Sequence, residues 1–350
     1  MMRKLLGIIL AACLLCGCVA NQGDGLTQYN ATFLNLFDTV TTVVGRAESK
    51  EAFTQQANAV RDELEFYHQL FDVYNDYPGV TNLKTVNDNA GIAPVKVDKA
   101  IIALLKDCKE YYDLTGGRVN VAMGSVLALW HEAREDGLND PTNAYLPDKA
   151  ALAEAAKHTD LSALEINEAE STVFLTDPQM RLDVGAVAKG WAAQKVAENA
   201  PKGLLISVGG NVCATGPKNA QGTPWVVGIQ DPDGGENYLH TIYVSGGAVV
   251  TSGDYQRVYM VDGVPYHHII DPKTQMPAML WRSVTVVCPD SGLADALSTA
   301  LFLTDLESGL ALAESCGVQV LWVNFSEFFR TFAKCFPRTV KKGLKIKVFW

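Results

Sequence analysis

The stretch Leu182-Asp183-Val184-Gly185-Ala186-Val187-Ala188-Lys189-Gly190-Trp191 decides how this chain is read. A strand-like run from Thr172 to Leu175 precedes it, and Gly190 opens a helix through Trp191, Ala192, Ala193, Lys195 and Val196. A turn of glycines and small residues between strand and helix exposes backbone N–H groups and lets a ligand approach the main chain closely. Asp183 and Lys189 bracket the turn with one acid and one base, a pair suited to the flank of a phosphate or a metal. Taken alone, they fit a plain turn with surface charges equally well.

Working outward, composition bounds the answer. The chain has 350 residues, of which 48% are hydrophobic and 19% charged, enough for a substantial core in two domains or one large one. A formal net charge of −10 argues against an electrostatic nucleic-acid binder, which needs clustered Lys and Arg. At the N-terminus, Arg3 and Lys4 precede a short apolar stretch, Leu5 to Leu15. That stretch is too short to span a bilayer comfortably and reads as a targeting segment. It runs into Leu15-Cys16-Gly17-Cys18, which resembles a bacterial lipobox with Cys18 as the lipidated residue. The expected organisation is a lipoprotein signal peptide over 1–17, a polar tether over 18–30, a folded domain over 31–324 and an atypical tail over 325–350. Cys108, Cys213, Cys288, Cys316 and Cys335 are scattered without a CxxC and read mostly as small buried hydrophobes.

Apolar residues at helical spacing (Phe53, Ala57, Val60, Leu64, Tyr67, Leu70) predict an amphipathic helix from Glu51 to Phe71 after a β-rich run, Phe33 to Val44. Asp98 is placed to cap a helix reaching about Leu114, and the Gly116-Gly117 pair leads into what reads as an extended run, Val121 to Trp130. Gly203 to Val208 is a buried-type strand that ends in Gly209-Gly210-Asn211. Trp225 to Pro232 and Thr241 to Val244 alternate as antiparallel strands. No GxGxxG spacing is present, and strands in runs with helices interspersed favour α+β over a doubly wound sheet.

The second informative stretch is Leu293-Ala294-Asp295-Ala296-Leu297-Ser298-Thr299-Ala300-Leu301-Phe302. Read as a helix, it puts Asp295, Ser298 and Thr299 (i, i+3, i+4) on one face, an oxygen-only set suited to a hard cation such as Mg²⁺ or Ca²⁺. An Asp near a helix start with Ser and Thr bonding the backbone is the competing reading.

Together, LDVGAVAKGW, ISVGGN, VVTSGDYQR, HHIIDPKT and ADALSTALF occur in an order and at distances that resemble the ApbE family, the FAD:protein FMN transferases. Weaker matches run from Phe37-Asp38-Thr39 through Val73-Tyr74 and Val86-Asn87 to TGGRVN, so the likeness covers roughly Phe33 to Val323. The resemblance implies an α+β, T-fold-like architecture of mixed, largely antiparallel sheets with helices, built as one large unit or as two similar subdomains with the flavin between them. It implies cleavage of FAD at its pyrophosphate, release of AMP, and transfer of FMN to a threonine or serine of an acceptor flavoprotein carrying an (S/T)GA(S/T) motif. By the same resemblance, Asp295, Ser298, Thr299 and the backbone carbonyl of Ala186 would hold Mg²⁺. Asp183 and Lys189 would hold the nucleotide, and Phe37, Tyr74, Arg118, Val119 and Asn120 would line the flavin rings with Ile269 nearby. His268 would assist catalysis; the competing reading is a histidine hydrogen-bonded within a sheet, with its neighbour His267 the exposed one. A lipid-anchored, extracytoplasmic place in a bacterial cell envelope follows from joining the lipobox to this family.

There are departures from the family pattern. Family members often read GGAFDPT where this chain has Gly116-Gly117-Arg118-Val119-Asn120-Val121-Ala122, and commonly Met-Gly where it has Phe37-Asp38. Phe325 to Trp350 is basic and aromatic, the mark of a membrane-surface segment or of a frameshifted end lacking the expected closing strand. Two other functions compete: a metal-dependent FAD pyrophosphatase in which water replaces the acceptor, and a non-enzymatic FAD-binding lipoprotein, which would not need the ion ligands.

Overall fold

The computed structural model describes residues 25–234 and 238–325, together with the backbone of 330–334. In chain order the elements begin with β1 (Thr27–Leu36), β2 (Thr39–Ala47), α1 (Lys50–Phe71), α2 (Leu83–Asp88), β3 (Val95–Lys96), α3 (Lys99–Leu114), α4 (Gly124–Asn139) and α5 (Lys149–Ala155). They continue with β4 (Leu164–Asn167), β5 (Thr172–Leu175), α6 (Ala188–Asn199), β6 (Leu204–Val208), β7 (Asn211–Ala214), β8 (Trp225–Gln230) and β9 (Tyr238–Val244). The remainder is β10 (Gly247–Gly253), β11 (Tyr259–Val261), β12 (Val264–Tyr266), β13 (Ser283–Cys288), α7 (Ser291–Phe302), α8 (Leu306–Cys316), β14 (Gln319–Val323) and β15 (Arg330–Lys334).

An eight-stranded sheet in the order β1-β2-β6-β7-β10-β13-β14-β15 forms the frame, and every neighbouring pair in it is antiparallel. Its central strands β6 and β13 are buried at every position, because both faces of the sheet are covered. Val43, Leu204 and Ile206 point to the face packed by Phe53, Leu64 and Val196 of α1 and α6. Val44, Leu205 and Val287 point to the opposite face, beneath Trp225, Val227 and Ile242 of the β8–β9 hairpin. Double cover is why β6 reads as a nearly continuous apolar run, while β13 buries Ser283 and Thr285 among its apolar residues.

The other half of the molecule is built on α3 and the small β3-β5-β4 sheet, with Ile101, Leu104, Leu105, Leu164 and Leu175 in its core. Trp191 of α6 and Ala296 and Ala300 of α7 enter that same core, so these two helices join the halves. Asp98 caps α3 through the Ala100 N–H, as its position predicts. The fold is α+β, as expected.

Three expectations differ from the structure. The segment Val121 to Trp130 is not extended: it turns and becomes α4, whose buried Val126, Trp130 and Ala133 recur at helical steps of four and three. The tether cannot extend to residue 30, because β1 begins at Thr27 and pairs with Ala47. A closing strand is present in the tail, where β15 pairs with β14 from Val323↔Arg330 to Gln319↔Lys334. The expected signal peptide over 1–17, Cys18 and Cys335 lie outside the described residues. Cys108, Cys213 and Cys288 are buried and free, and Cys316 is half-buried. No described helix is long and apolar enough to cross a membrane.

Candidate active site

The site forms where α6 meets α7. Gly190 sits at that crossing, where an added Cβ would collide with the Ser291 carbonyl and Asp295 Cβ. Only glycine permits the approach, and with it the backbone N–H of Gly190 donates to Asp295 Oδ2 at 2.8 Å. Val187, at the N-cap of α6, supplies no side-chain cap, so a carboxylate from the neighbouring helix takes one of the orphan N–H groups. Lys189 completes the cluster, with Nζ 3.1 Å from the Gly185 carbonyl and 3.7 Å from Asp295 Oδ2. Asp295 is only 4% exposed. Burial pushes its carboxyl upward, against the pull of Lys189, the Gly190 N–H and the Asn211 amide.

The turn before α6 is held from behind by Asn87. Its buried side-chain amide donates to the Leu182 carbonyl (3.0 Å) and accepts from the Leu182 N–H (2.7 Å), imitating one rung of a sheet. Asp183 then folds over its own turn, Oδ1 accepting from the Gly185 N–H at 2.8 Å.

These groups open on a crevice of about 280 Å³. Phe37, Tyr74, Arg118, Val119, Asn120, Asp183, Ala186, Lys189, His268, Ile269, Asp295 and Thr299 all line it, so residues from six separate stretches of sequence are brought together. Ser298 is the exception. Its hydroxyl donates to the Asp295 carbonyl (2.9 Å) and lies 2.8 Å from Ser252 Oγ, one layer behind the crevice wall. Ser252 in turn lies 3.4 Å from Thr299 Oγ1. Arg118 to Asn120 form part of the α3–α4 turn, not a strand: Val119 is buried in the core, and Asn120 bonds the Ala122 N–H and the Thr159 carbonyl.

His267 is buried, not exposed, and both its ring nitrogens are occupied. Nε2 donates to the Ala278 carbonyl at 2.7 Å, and Nδ1 accepts the Ile269 N–H at 3.2 Å. His268 is different. Its Nδ1 lies 3.2 Å from the Gln256 carbonyl, which can only accept, so Nδ1 carries the proton and Nε2 presents a lone pair. Burial, with Arg257, Lys189 and Arg134 nearby, holds this imidazole well below its ordinary range, and it is neutral at pH 7.

Sequence reasoning missed several lining residues. His131 stacks on Tyr74, ring centroids 4.4 Å apart at 22°. Arg134, on the same helix, bonds His131 Nδ1 at 3.1 Å. Arg257 reaches the Phe37 carbonyl at 3.1 Å. A helical reading of Val126, Trp130 and Ala133 would have carried His131 and Arg134 to the site; for Arg257 the only signal was its place in VVTSGDYQR. The crevice gathers four cations, Arg118, Arg134, Lys189 and Arg257, against four carboxylates, Asp38, Asp72, Asp183 and Asp295, so it offers cationic donors to an anionic ligand without an overall positive charge.

The donor set fits a hard divalent ion only in part. Asp295, Thr299 and main-chain carbonyls at the turn are hard oxygen ligands, but a single carboxylate with an ammonium beside it leaves much of the charge and coordination to be supplied by an anionic ligand. Among the described residues no group of three or more His, Cys, Asp or Glu side chains could hold a metal.

Fold and site together define an α+β protein with a polar crevice, lined by charges of both signs and by aromatic rings, at a helix N-terminus. The ApbE family model matches residues 31–322, and the chain belongs to that family. It is 34% identical over 330 residues to the FAD:protein FMN transferase of Treponema pallidum, covering 89% of both chains. It is 30% identical over 264 residues to the FAD:protein FMN transferase of Vibrio cholerae, covering 73% of this chain and 76% of the relative. Among solved structures, the ApbE protein of Thermotoga maritima superposes with a TM-score of 0.74 at 30% identity, over 85% of this chain and 94% of that one.

Proposed function

We propose that the chain transfers FMN from FAD to a serine or threonine hydroxyl of an acceptor protein, with Mg²⁺ required and AMP released. The observation that carries the reading is the convergence of the Asp295–Lys189 pair and the free Nε2 of His268 on one crevice whose other walls hold Phe37 and Tyr74. Lys189 and Arg257 would hold pyrophosphate oxygens, while the two aromatic residues receive the flavin rings. The acceptor oxygen attacks the phosphorus on the FMN side, its bond to the bridging oxygen breaks, and AMP leaves with that oxygen. His268 Nε2 would take the acceptor's hydroxyl proton, a role supported by the Gln256 carbonyl, which keeps the ring in the required tautomer. Asp295, Thr299 and the Ala186 carbonyl would hold the ion, which when bound neutralises charge on the pyrophosphate oxygens.

The acceptor motif (S/T)GA(S/T), and acceptors such as flavin-bearing subunits of redox complexes, are part of this proposal. So is a lipid-anchored, extracytoplasmic location through Cys18. The test incubates the protein with FAD, Mg²⁺ and a protein bearing that motif, and reads the acceptor by mass spectrometry. An FMN adduct absent with EDTA and with Asp295→Ala supports the proposal; free FMN and AMP without adduct would replace it by a pyrophosphatase. Bound FAD without turnover would leave a binding protein.

A further inference from the structure

The hairpin between β1 and β2 turns on Phe37 and Asp38, and both have left-handed backbones (φ +51° and +53°). Glycine or asparagine suits such positions; a phenylalanine there holds only if contacts from outside the turn secure it. Two do. Arg257 donates to the Phe37 carbonyl at 3.1 Å, and the Phe37 N–H donates to His68 Nδ1 at 3.2 Å.

The second contact continues. His68 Nε2 lies 3.3 Å from the Tyr77 hydroxyl, and that hydroxyl donates to Asp72 Oδ2 at 2.7 Å. Asp72 also accepts the backbone N–H of Tyr74 (2.7 Å) and of Asn75 (3.0 Å) on Oδ1, and the Asn75 side chain (2.9 Å) on Oδ2. Burial works against its charge, but the bonds from Asn75, Tyr74 and Tyr77 outweigh it and hold the Asp72 carboxyl below the usual carboxylate range.

Proton bookkeeping fixes the direction of every bond. An ionised carboxylate only accepts, so the Tyr77 O–H points to Asp72. The Tyr77 oxygen is then free to accept from His68 Nε2–H, which leaves Nδ1 with the lone pair that receives the Phe37 amide. We infer that Asp72 is a positioning residue for the flavin end of the crevice, setting Tyr74 directly and the Phe37–Asp38 turn through Tyr77 and the Nε2–H tautomer of His68. The inference rests on the flavin reading above, but the tautomer it requires does not.

Replacing Asp72 by Asn puts a donor where Oδ2 accepted. The Tyr77 O–H loses its acceptor, and the acceptor left within its reach is His68 Nε2. Satisfying it moves the ring proton to Nδ1, against the Phe37 N–H.

The experiment uses the full chain labelled with ¹⁵N at its 6 histidines, with the His68 signals assigned by their loss in His68→Gln. Long-range ¹H–¹⁵N spectra at pH 7.5 are expected to show His68 protonated at Nε2 alone, with the Nδ1–H form populated in Asp72→Asn. In parallel, Asp72→Asn and Tyr77→Phe are expected to raise the FMN dissociation constant and the KM for FAD about tenfold, with a smaller change in kcat. His68 protonated at Nδ1 in the unaltered protein would overturn the inference. So would FMN affinity unchanged in both variants, or kcat and KM damaged equally, which a merely structural role would produce. Absence of any FMN or FAD binding by the unaltered protein would sink the flavin reading, and the tautomer result would still stand.

Discussion

His268 and Asp295 are the two residues whose chemistry the crevice sets most clearly. With Nδ1 donating to Gln256 and its ring kept neutral, His268 would serve the proposed transfer as a base over the whole neutral range. Transfer by the unaltered protein should therefore be flat from about pH 6.5 upward and fall only under more acid conditions, as the ring protonates. His268→Ala should lower kcat by about 10²- to 10⁴-fold and abolish that acid limb, which a pH–rate profile of adduct formation checks. The same depressed pKa bears on stability. The unfolded chain takes up the proton first, so this contribution is complete above the unfolded value near 6.5 and is lost as pH falls toward the folded value. Urea denaturation between pH 7 and about 5 should accordingly show a shallower decline for His268→Gln than for the unaltered protein. Asp295→Asn keeps the shape but removes the charge that faces Lys189, and should abolish Mg²⁺-dependent transfer while leaving the fold intact by circular dichroism.

Among the elements, α6 and its approach turn carry the site, and two residues without chemistry of their own decide whether they can. Gly190→Ala forces α6 away from Ser291 and Asp295. It should cost about 1–3 kcal/mol in denaturant unfolding. Activity should fall further than that loss implies, because Asp295 Oδ2 would lose the Gly190 N–H. Asn87→Ala strands the N–H and carbonyl of Leu182 in the core, at about 2–4 kcal/mol by the same measurement. Helix periodicity explains the divided fate of the α7 hydroxyls. Positions i+3 and i+4 fall on opposite sides of residue i, so Thr299 reaches the crevice while Ser298 turns to Ser252 on β10.

At the scale of the whole molecule, the crevice draws its walls from both halves: Phe37, Ser252 and His268 from the side of the large sheet, Tyr74, Arg118 and His131 from the other. A ligand filling it should stabilise the protein as a unit. FAD with Mg²⁺ at one hundred times its dissociation constant should add about 2.7 kcal/mol, seen as a single shifted melting transition, with Mg²⁺ alone adding little because one carboxylate cannot hold it well. Much of this architecture is legible without coordinates. Amphipathic spacing marks α1, the Asp98 cap marks α3, and the apolar run of β6 announces a buried strand, since these signals are local and repeat along the chain. The turn from Asp183 to Gly190 and the face of Asp295 and Thr299 are visible in spacing, but spacing fits a plain turn and a capped helix as well, and only the likeness to the ApbE family singled them out as a site. What spacing cannot carry is the partner brought from afar. The eight-strand order, the buried pairing of Asn87 with Leu182 across 95 residues, the tautomer of His268 and the chain from Asp72 to Phe37 each depend on groups that meet only once the core has closed.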